Sequence, residues 1–285
     1  MSKRQKSYLR GRYRAVFGYT GFILLCIGLI IMAPLLLAPI YGADGRLAAA
    51  FLIPGGTLAI LGGFVWRAWV PREPFAMTPQ EGAVAVVLSW LMALIVGAIP
   101  FVFTDGLSFN QALFEATSGW TTTGLSVIDV TATHPLVLFY RSLIQFAGGA
   151  GFAIIMLALI SGPAGTGLSS AEGRGDQLVP HVRQSAAIVL QLYVAYAVLG
   201  TVALWLVGMS LFDAVNHAFA ALSTGGFSTR PESIGYWDSF AVEAVISILM
   251  ILGTTNFLTA YAVVNGRWRA LVRSSEMQTL MVLLI

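Results

Sequence analysis

Apolar residues fall into six long runs, at about 16–40, 47–69, 82–103, 135–161, 185–209 and 240–264, and a seventh opens near Met277. Each complete run supplies the roughly 20 apolar residues a helix needs to cross a hydrocarbon layer of about 30 Å. Polar and charged residues collect between the runs, so the pattern predicts an all-α, polytopic membrane protein. The chain reaches Ile285 within the seventh run, and we read residues 274–285 as the start of a further unit that is cut short.

Two of the intervals between runs break the pattern. Segment 104–134 holds a short apolar stretch, Leu107 to Ser118, followed by GWTTTGLSV, and segment 210–239 holds Leu211 to Leu222 followed by STGGFST. Neither stretch is long enough to cross. A short helix that enters a membrane and returns as irregular backbone is tolerated only where it is buried in protein or lines a water-filled cavity. Span, short helix, loop, span is the plan of a cation pore unit, and it occurs twice.

Gly124 and Gly225, 101 positions apart, mark the repeat, each about 12 to 15 residues after the start of its short helix. Two full spans per copy give both copies one orientation, related by an axis along the membrane normal. The expected organisation is a basic tail at 1–14, a two-span extension at 15–70, pore units at 78–162 and 185–266, and a linker at 163–184.

Composition agrees with the bilayer and narrows the alternatives. The chain is 57% hydrophobic and 10% charged, whereas about a quarter of the residues of a soluble domain carry charge. A net charge of +3 does not mark a nucleic-acid binder, because the basic residues cap apolar runs rather than forming a patch. Thirteen of the sixteen Lys and Arg residues fall in the tail and in alternate inter-span segments. They are Lys3, Arg4, Lys6, Arg10, Arg12 and Arg14, then Arg67 and Arg72, Arg174 and Arg183, and Arg267, Arg269 and Arg273. Only Arg46, Arg141 and Arg230 remain for the opposite side. The positive-inside rule therefore predicts a cytoplasmic N-terminus and outward-facing segments 104–134 and 210–239. The first run exceeds a signal-peptide core and reads as a retained span. Cys26 stands alone, which rules out an intrachain disulfide and a cysteine metal site.

The two Gly/Thr/Ser loops carry the candidate chemistry. A carbonyl-type filter replaces an ion's hydration shell with oxygens. Glycine allows positive φ, which turns carbonyls toward one axis, and Thr or Ser adds a hydroxyl. Aligned on their first glycines, the loops pair Thr122, Thr123, Gly124 and Leu125 with Ser223, Thr224, Gly225 and Gly226. The C-terminal end of each short helix brings about half a negative charge toward the loop, which favours a cation without a carboxylate.

FEATSGWTTTGLSV, residues 114–127, and AFAALSTGGFST, residues 218–229, resemble the first and second filters of the Trk/Ktr/HKT potassium-transporter superfamily. GGAGFAIIMLA at 148–158 and ILGTTNFLTAY at 251–261 resemble the spans that follow them, and the additional N-terminal span pair is similar to the Trk-H branch. The resemblance implies four units in one chain around a pseudo-symmetric pore, of which two are present. It implies potassium uptake across the bacterial inner membrane, with filter contacts at Thr122, Thr123, Gly124, Ser223, Thr224 and Gly225, and support from Leu125, Gly226 and Glu115. It also implies a homodimer and a cytosolic nucleotide-binding regulatory subunit of the Trk-A type. No cofactor is implied beyond the transported ion, and the family's gating loop belongs to later units. Glycine at position 124 goes with potassium preference in this family, serine with sodium permeation. The alternatives are a sodium-permeable relative, a secondary transporter of an organic solute, or a non-conducting membrane subunit.

Other polar residues have plainer readings. Glu115 at membrane depth bonds to backbone groups behind the filter, or else acts on ions. Arg141, Asp238 and Glu243 read as interfacial or paired, Asn216 and His217 as internally hydrogen-bonded, and Phe227 as packing. His134 and His181 lie in different loops and form no metal cluster. Gly148, Gly149 and Gly151 serve close packing or a bend. The segment 162–176 lacks the Gly-Lys-Ser/Thr of a nucleotide loop. No paired-carboxylate or Ser/His/Asp arrangement points to an enzyme.

Overall fold

The computed structural model describes residues 3–70, 77–151, 182–255, 257–269, 274–275 and 277–279. Every regular element among them is helical. The linker expected at 163–184, apart from the helix start at Val182, lies outside these residues. So do most of 274–285, the second half of 148–158, and Arg72, Arg174, His181 and Arg273.

The N-terminal pair is an antiparallel hairpin. Helix α1 (Lys3–Met32) continues through a 3₁₀ turn (Ala33–Leu37) and α2 (Ala38–Tyr41), and α3 (Gly45–Trp69) returns. Asp44 starts α3 by accepting a hydrogen bond from the Leu47 amide at 2.7 Å. In a bilayer, helices associate through close backbone approach at small residues. Gly21 lies on Gly62, where a side chain would stand 2.7 Å from the Gly62 carbonyl, and Gly28 lies on Gly55 and Ala59 in the same way.

Helix α4 (Pro79–Thr104) opens with a capping box between Thr78 and Glu81, and Glu81 also pairs with Arg12 of α1. It leads into the short α5 (Phe109–Trp120) and then α6 (Pro135–Gly149). The second unit runs α7 (Val182–Leu206), α8 (Leu211–Leu222), α9 (Phe240–Thr254) and α10 (Phe257–Val264). Four described helical stretches have span length and apolarity: Tyr8–Tyr41, Gly45–Trp69, Gln80–Thr104 and Ala187–Leu206.

The run at 240–264 is not one helix. Thr255 turns to an extended ψ of 131°, and the Thr254 and Thr255 hydroxyls bond back to the Ile251 carbonyl at 3.0 and 2.6 Å. Such back-bonding competes with the helical ladder. Gly253 meanwhile packs on the carbonyl of Leu222, the last residue of α8, just as Gly148 packs on that of Trp120, the last residue of α5. Both helices that follow the short ones therefore stop beneath them, α6 at Gly149 with Gly151 at φ 65°.

The repeat is visible in the helices, with a register that differs from the glycine alignment. Helices α5 and α8 are each 12 residues long and start after Ser108 and Ser210, which are 102 positions apart. Helices α6 and α9 are each 15 residues long and start at 135 and 240, 105 apart. The three extra residues lie in the second return segment, which folds a 3₁₀ turn at Ser233–Trp237.

One apolar core joins the N-terminal hairpin to the first unit, with Phe51 and Phe101 set against Tyr140 at ring distances of 5.4 and 5.2 Å. A second core fills the α7–α8–α9 unit around Tyr193, Leu204, Leu222 and Leu249. Phe146 of α6 stacks on Tyr193 and Phe219 at 4.4 and 4.3 Å, so α6 belongs structurally to both units.

Candidate functional site

Each short helix ends in the same left-handed turn. Thr122 N–H donates to the Gly119 carbonyl and Thr123 N–H to that of Ser118, at 3.0 and 2.9 Å. In the second unit Thr224 N–H donates to Ala221 and Gly225 N–H to Ala220, at 3.1 and 2.9 Å. This is the Schellman arrangement, whose left-handed position normally takes glycine. Here it is taken by threonine twice, with φ of 57° at Thr122 and 55° at Thr224. Positive φ strains a β-branched residue, and strain of this kind clusters at functional sites.

Gly124 and Gly226 follow at φ 83° and 88°. Left-handed backbone at every second residue turns successive carbonyls to one side, the geometry a dehydrated cation needs. The structure thus pairs Thr122 with Thr224, Thr123 with Gly225 and Gly124 with Gly226. Ser223 corresponds to Thr121 and leaves the row. It caps α8, is 3% exposed, and donates its hydroxyl to the Ala220 carbonyl at 3.1 Å. Gly226, expected as support, stands at the position equivalent to Gly124.

The two loops touch. A side chain on Gly124 would run into the Gly225 carbonyl. Gly225 in turn lies on the amide of Gln145, whose oxygen would be 2.5 Å from a Cβ there. The two glycines of the second loop therefore have different reasons to be glycine: Gly225 for space, Gly226 for φ.

Behind the loops lies a buried polar layer. Glu115 is 0% exposed and accepts from Ser126 Oγ at 3.0 Å, from Val127 N–H at 2.9 Å and from Arg141 Nε at 2.8 Å. Of the two readings of Arg141, interfacial or paired, the structure has the paired one, with Glu115 as its buried partner. Arg141, 2% exposed, also donates to Ser126 Oγ at 2.7 Å and to the Ser228 carbonyl at 3.2 Å, and its guanidinium lies 4.1 Å from the Phe227 ring centre. One turn on, Gln145 Oε1 accepts from Phe227 N–H at 3.1 Å.

The second loop has a different anchor. Asp213, in the first turn of the non-spanning α8, accepts from Thr229 Oγ1 at 2.6 Å, Ser210 Oγ at 2.8 Å and Arg230 Nη2 at 3.2 Å. Burial acts to raise its pKa, but these donors outweigh it and hold the carboxyl below the usual carboxylate range. His217, at the position equivalent to Glu115, bonds through Nδ1 to the Asp213 carbonyl at 2.8 Å and through Nε2 to Ser228 Oγ at 3.0 Å. Asn216 Nδ2 donates to the Phe212 carbonyl at 2.7 Å.

Some expected residues stand apart. Leu125 is 62% exposed, whereas Phe227, its counterpart, is 2% exposed. Asp238 and Glu243 are exposed and outside the layer. No group of three or more His, Cys, Asp or Glu residues lies together among the described residues. Sequence reasoning missed Ser126, Gln145, Asp213, Ser228 and Arg230. A signal for one pair was present: Arg141 and Gln145 are polar residues four apart in an apolar span, hence on one helix face.

Comparison with known proteins gives the same architecture. Residues 59–285 match the TrkH family, described as a cation transport protein. The Trk system potassium uptake protein TrkH of Escherichia coli (strain K12) is 33% identical over 267 residues, covering 90% of this chain and 54% of that protein. The Trk system potassium uptake protein TrkG of the same strain is 31% identical over 278 residues, covering 93% and 56%. The crystal structure of the potassium transporter TrkH from Vibrio parahaemolyticus superposes with a TM-score of 0.80 at 28% identity, covering 95% of this chain and 56% of that one. This chain spans about half the length of the relatives it matches. It is a multi-pass membrane protein and belongs to the TrkH family of cation transport proteins.

Proposed function

We propose that this chain supplies two walls of a potassium-selective uptake pathway. The observation that carries the reading is the duplicated left-handed row, Thr122 to Gly124 and Thr224 to Gly226, set at the C-terminal ends of two matching short helices. Successive carbonyls turned to one side replace the hydration shell of a monovalent cation, and the helix ends bias the site toward positive charge. The names of the relatives support potassium as that cation. Permeation runs down the electrochemical gradient, to which the membrane potential contributes about 2.3 kcal/mol per charge per 100 mV.

The proposed setting is the bacterial inner membrane with the N-terminus cytoplasmic, as the basic residues favour. The complete pathway includes further units, a second copy of the protein and a cytosolic nucleotide-binding subunit of the Trk-A type. Rubidium uptake into bacteria without their own potassium importers, measured for the full-length transporter with potassium and sodium as competitors, tests the reading. Uptake blocked by potassium and indifferent to sodium is expected. Failure of membrane-inserted protein to carry rubidium, or equal competition by sodium, refutes it.

A further inference from the structure

We propose that Arg141 couples the two filter loops and is a specificity-determining positioning residue. The proposal rests on the filter reading above and extends it to a side chain outside the row. Arg141 sits on α6, behind both loops and 2% exposed. Its guanidinium divides its donors between them. Nε and Nη2 hold Glu115 and Ser126 of the first unit at 2.8 and 2.7 Å, while Nη1 holds the Ser228 carbonyl of the second at 3.2 Å. The Phe227 ring covers the same cation at 4.1 Å.

Three features make this a coupling rather than a local support. First, the planar fork of arginine fixes the angles between its donors, so the Ser126 and Ser228 contacts set a distance between the loops and not only an anchor for each. Second, the loops meet with no slack, since the Gly225 carbonyl fills the space beside Gly124. A change in spacing behind the loops is transmitted to the row itself. Third, the device occurs once in the repeat. In the register of α6 and α9, Ile246 stands where Arg141 does, and in that of α5 and α8, His217 stands where Glu115 does. Among the described residues, His217 bonds to Asp213 and Ser228 of its own unit. The link between loops one and two therefore depends on Arg141, with Gln145 beneath it holding Phe227 N–H at 3.1 Å.

The test uses the full-length transporter with Arg141→Lys, and with Glu115→Gln and Arg141→Gln combined. Lysine keeps a charge opposite Glu115 but is a compact ammonium that cannot span Ser126 and Ser228. The double variant strands no buried charge. One readout is the ratio of sodium to potassium concentrations that halve rubidium uptake. The other is amide hydrogen exchange of the purified protein over residues 105–120 and 223–230.

Both variants are expected in the membrane at normal abundance, with the ratio lowered by about tenfold, the scale of one charge-assisted hydrogen bond. Exchange over 223–230 rises while that over 105–120 stays put. An unchanged ratio with unchanged exchange over 223–230 overturns the proposal, and so does equal loosening of both segments, which marks a general structural role. If the unmodified protein shows no preference for potassium, the potassium reading falls, and the exchange pattern still decides the coupling.

Discussion

The Gly225 carbonyl occupies the space that a side chain on Gly124 would need. Gly124 also lies at φ 83°, and left-handed backbone costs a residue with a Cβ about 1–2 kcal/mol. Gly124→Ala and Gly124→Ser must therefore displace the second loop, while Gly226→Ala, with no atoms in its way, meets only the conformational cost. Both Gly124 variants are expected to lose potassium preference in competition assays, and Gly226→Ala to lose less. Equal effects at the two glycines would contradict this contact.

Threonine at the two left-handed positions of the repeat, Thr122 and Thr224, strains the backbone for a purpose other than stability. Thr122→Gly and Thr224→Gly are expected to leave thermal stability unchanged or raise it by up to about 1 kcal/mol, relief of strain being offset in part by the flexibility of glycine in the unfolded chain. Ion discrimination is expected to fall in the same proteins. A clear drop in melting temperature in detergent would show that the threonine side chains hold the loops together.

Gln145→Leu leaves the Phe227 amide buried without its acceptor, a loss of about 1–3 kcal/mol. The second loop is expected to loosen selectively, seen as faster hydrogen exchange over 223–230 with 105–120 unaffected. Gln145→Glu keeps an acceptor oxygen and is expected to preserve protection over 223–230. Identical exchange in the leucine variant and the parent would remove Gln145 from the support of the loop.

Asp213 gathers Ser210, Thr229 and Arg230 into one anchor. Asp213→Ala strands the buried Thr229 hydroxyl and is expected to destabilise the protein by about 1–3 kcal/mol. Asp213→Asn keeps an acceptor for Thr229 and is expected to cost less. Melting temperatures of the two variants, measured side by side, check the order.

Much of this fold was legible because spans are dictated by length and apolarity. Of the paired short helices, Leu211–Leu222 was legible to the residue, whereas the first, expected at Leu107 to Ser118, runs Phe109–Trp120 because Ser108 caps it from outside. The register of the second loop was not legible. Alignment on the first glycine gives 101, but what recurs is backbone conformation, and Thr224 and Gly226 repeat the φ values of Thr122 and Gly124 at 102. Residue identity conceals this because threonine stands where glycine is usual. The buried layer was hidden for another reason. Arg141 pairs with Glu115 across 26 positions and reaches Ser228 across 87, and nothing local to an arginine near a span end reveals such partners.

The measurement closest to the central claim is a structure of the full-length transporter in rubidium, with the ion located by anomalous scattering. The account predicts rubidium held between the two loops, in contact with carbonyl oxygens of residues 122–124 and 224–226. Rubidium bound elsewhere in a protein that transports it, with no density between these loops, would contradict the account.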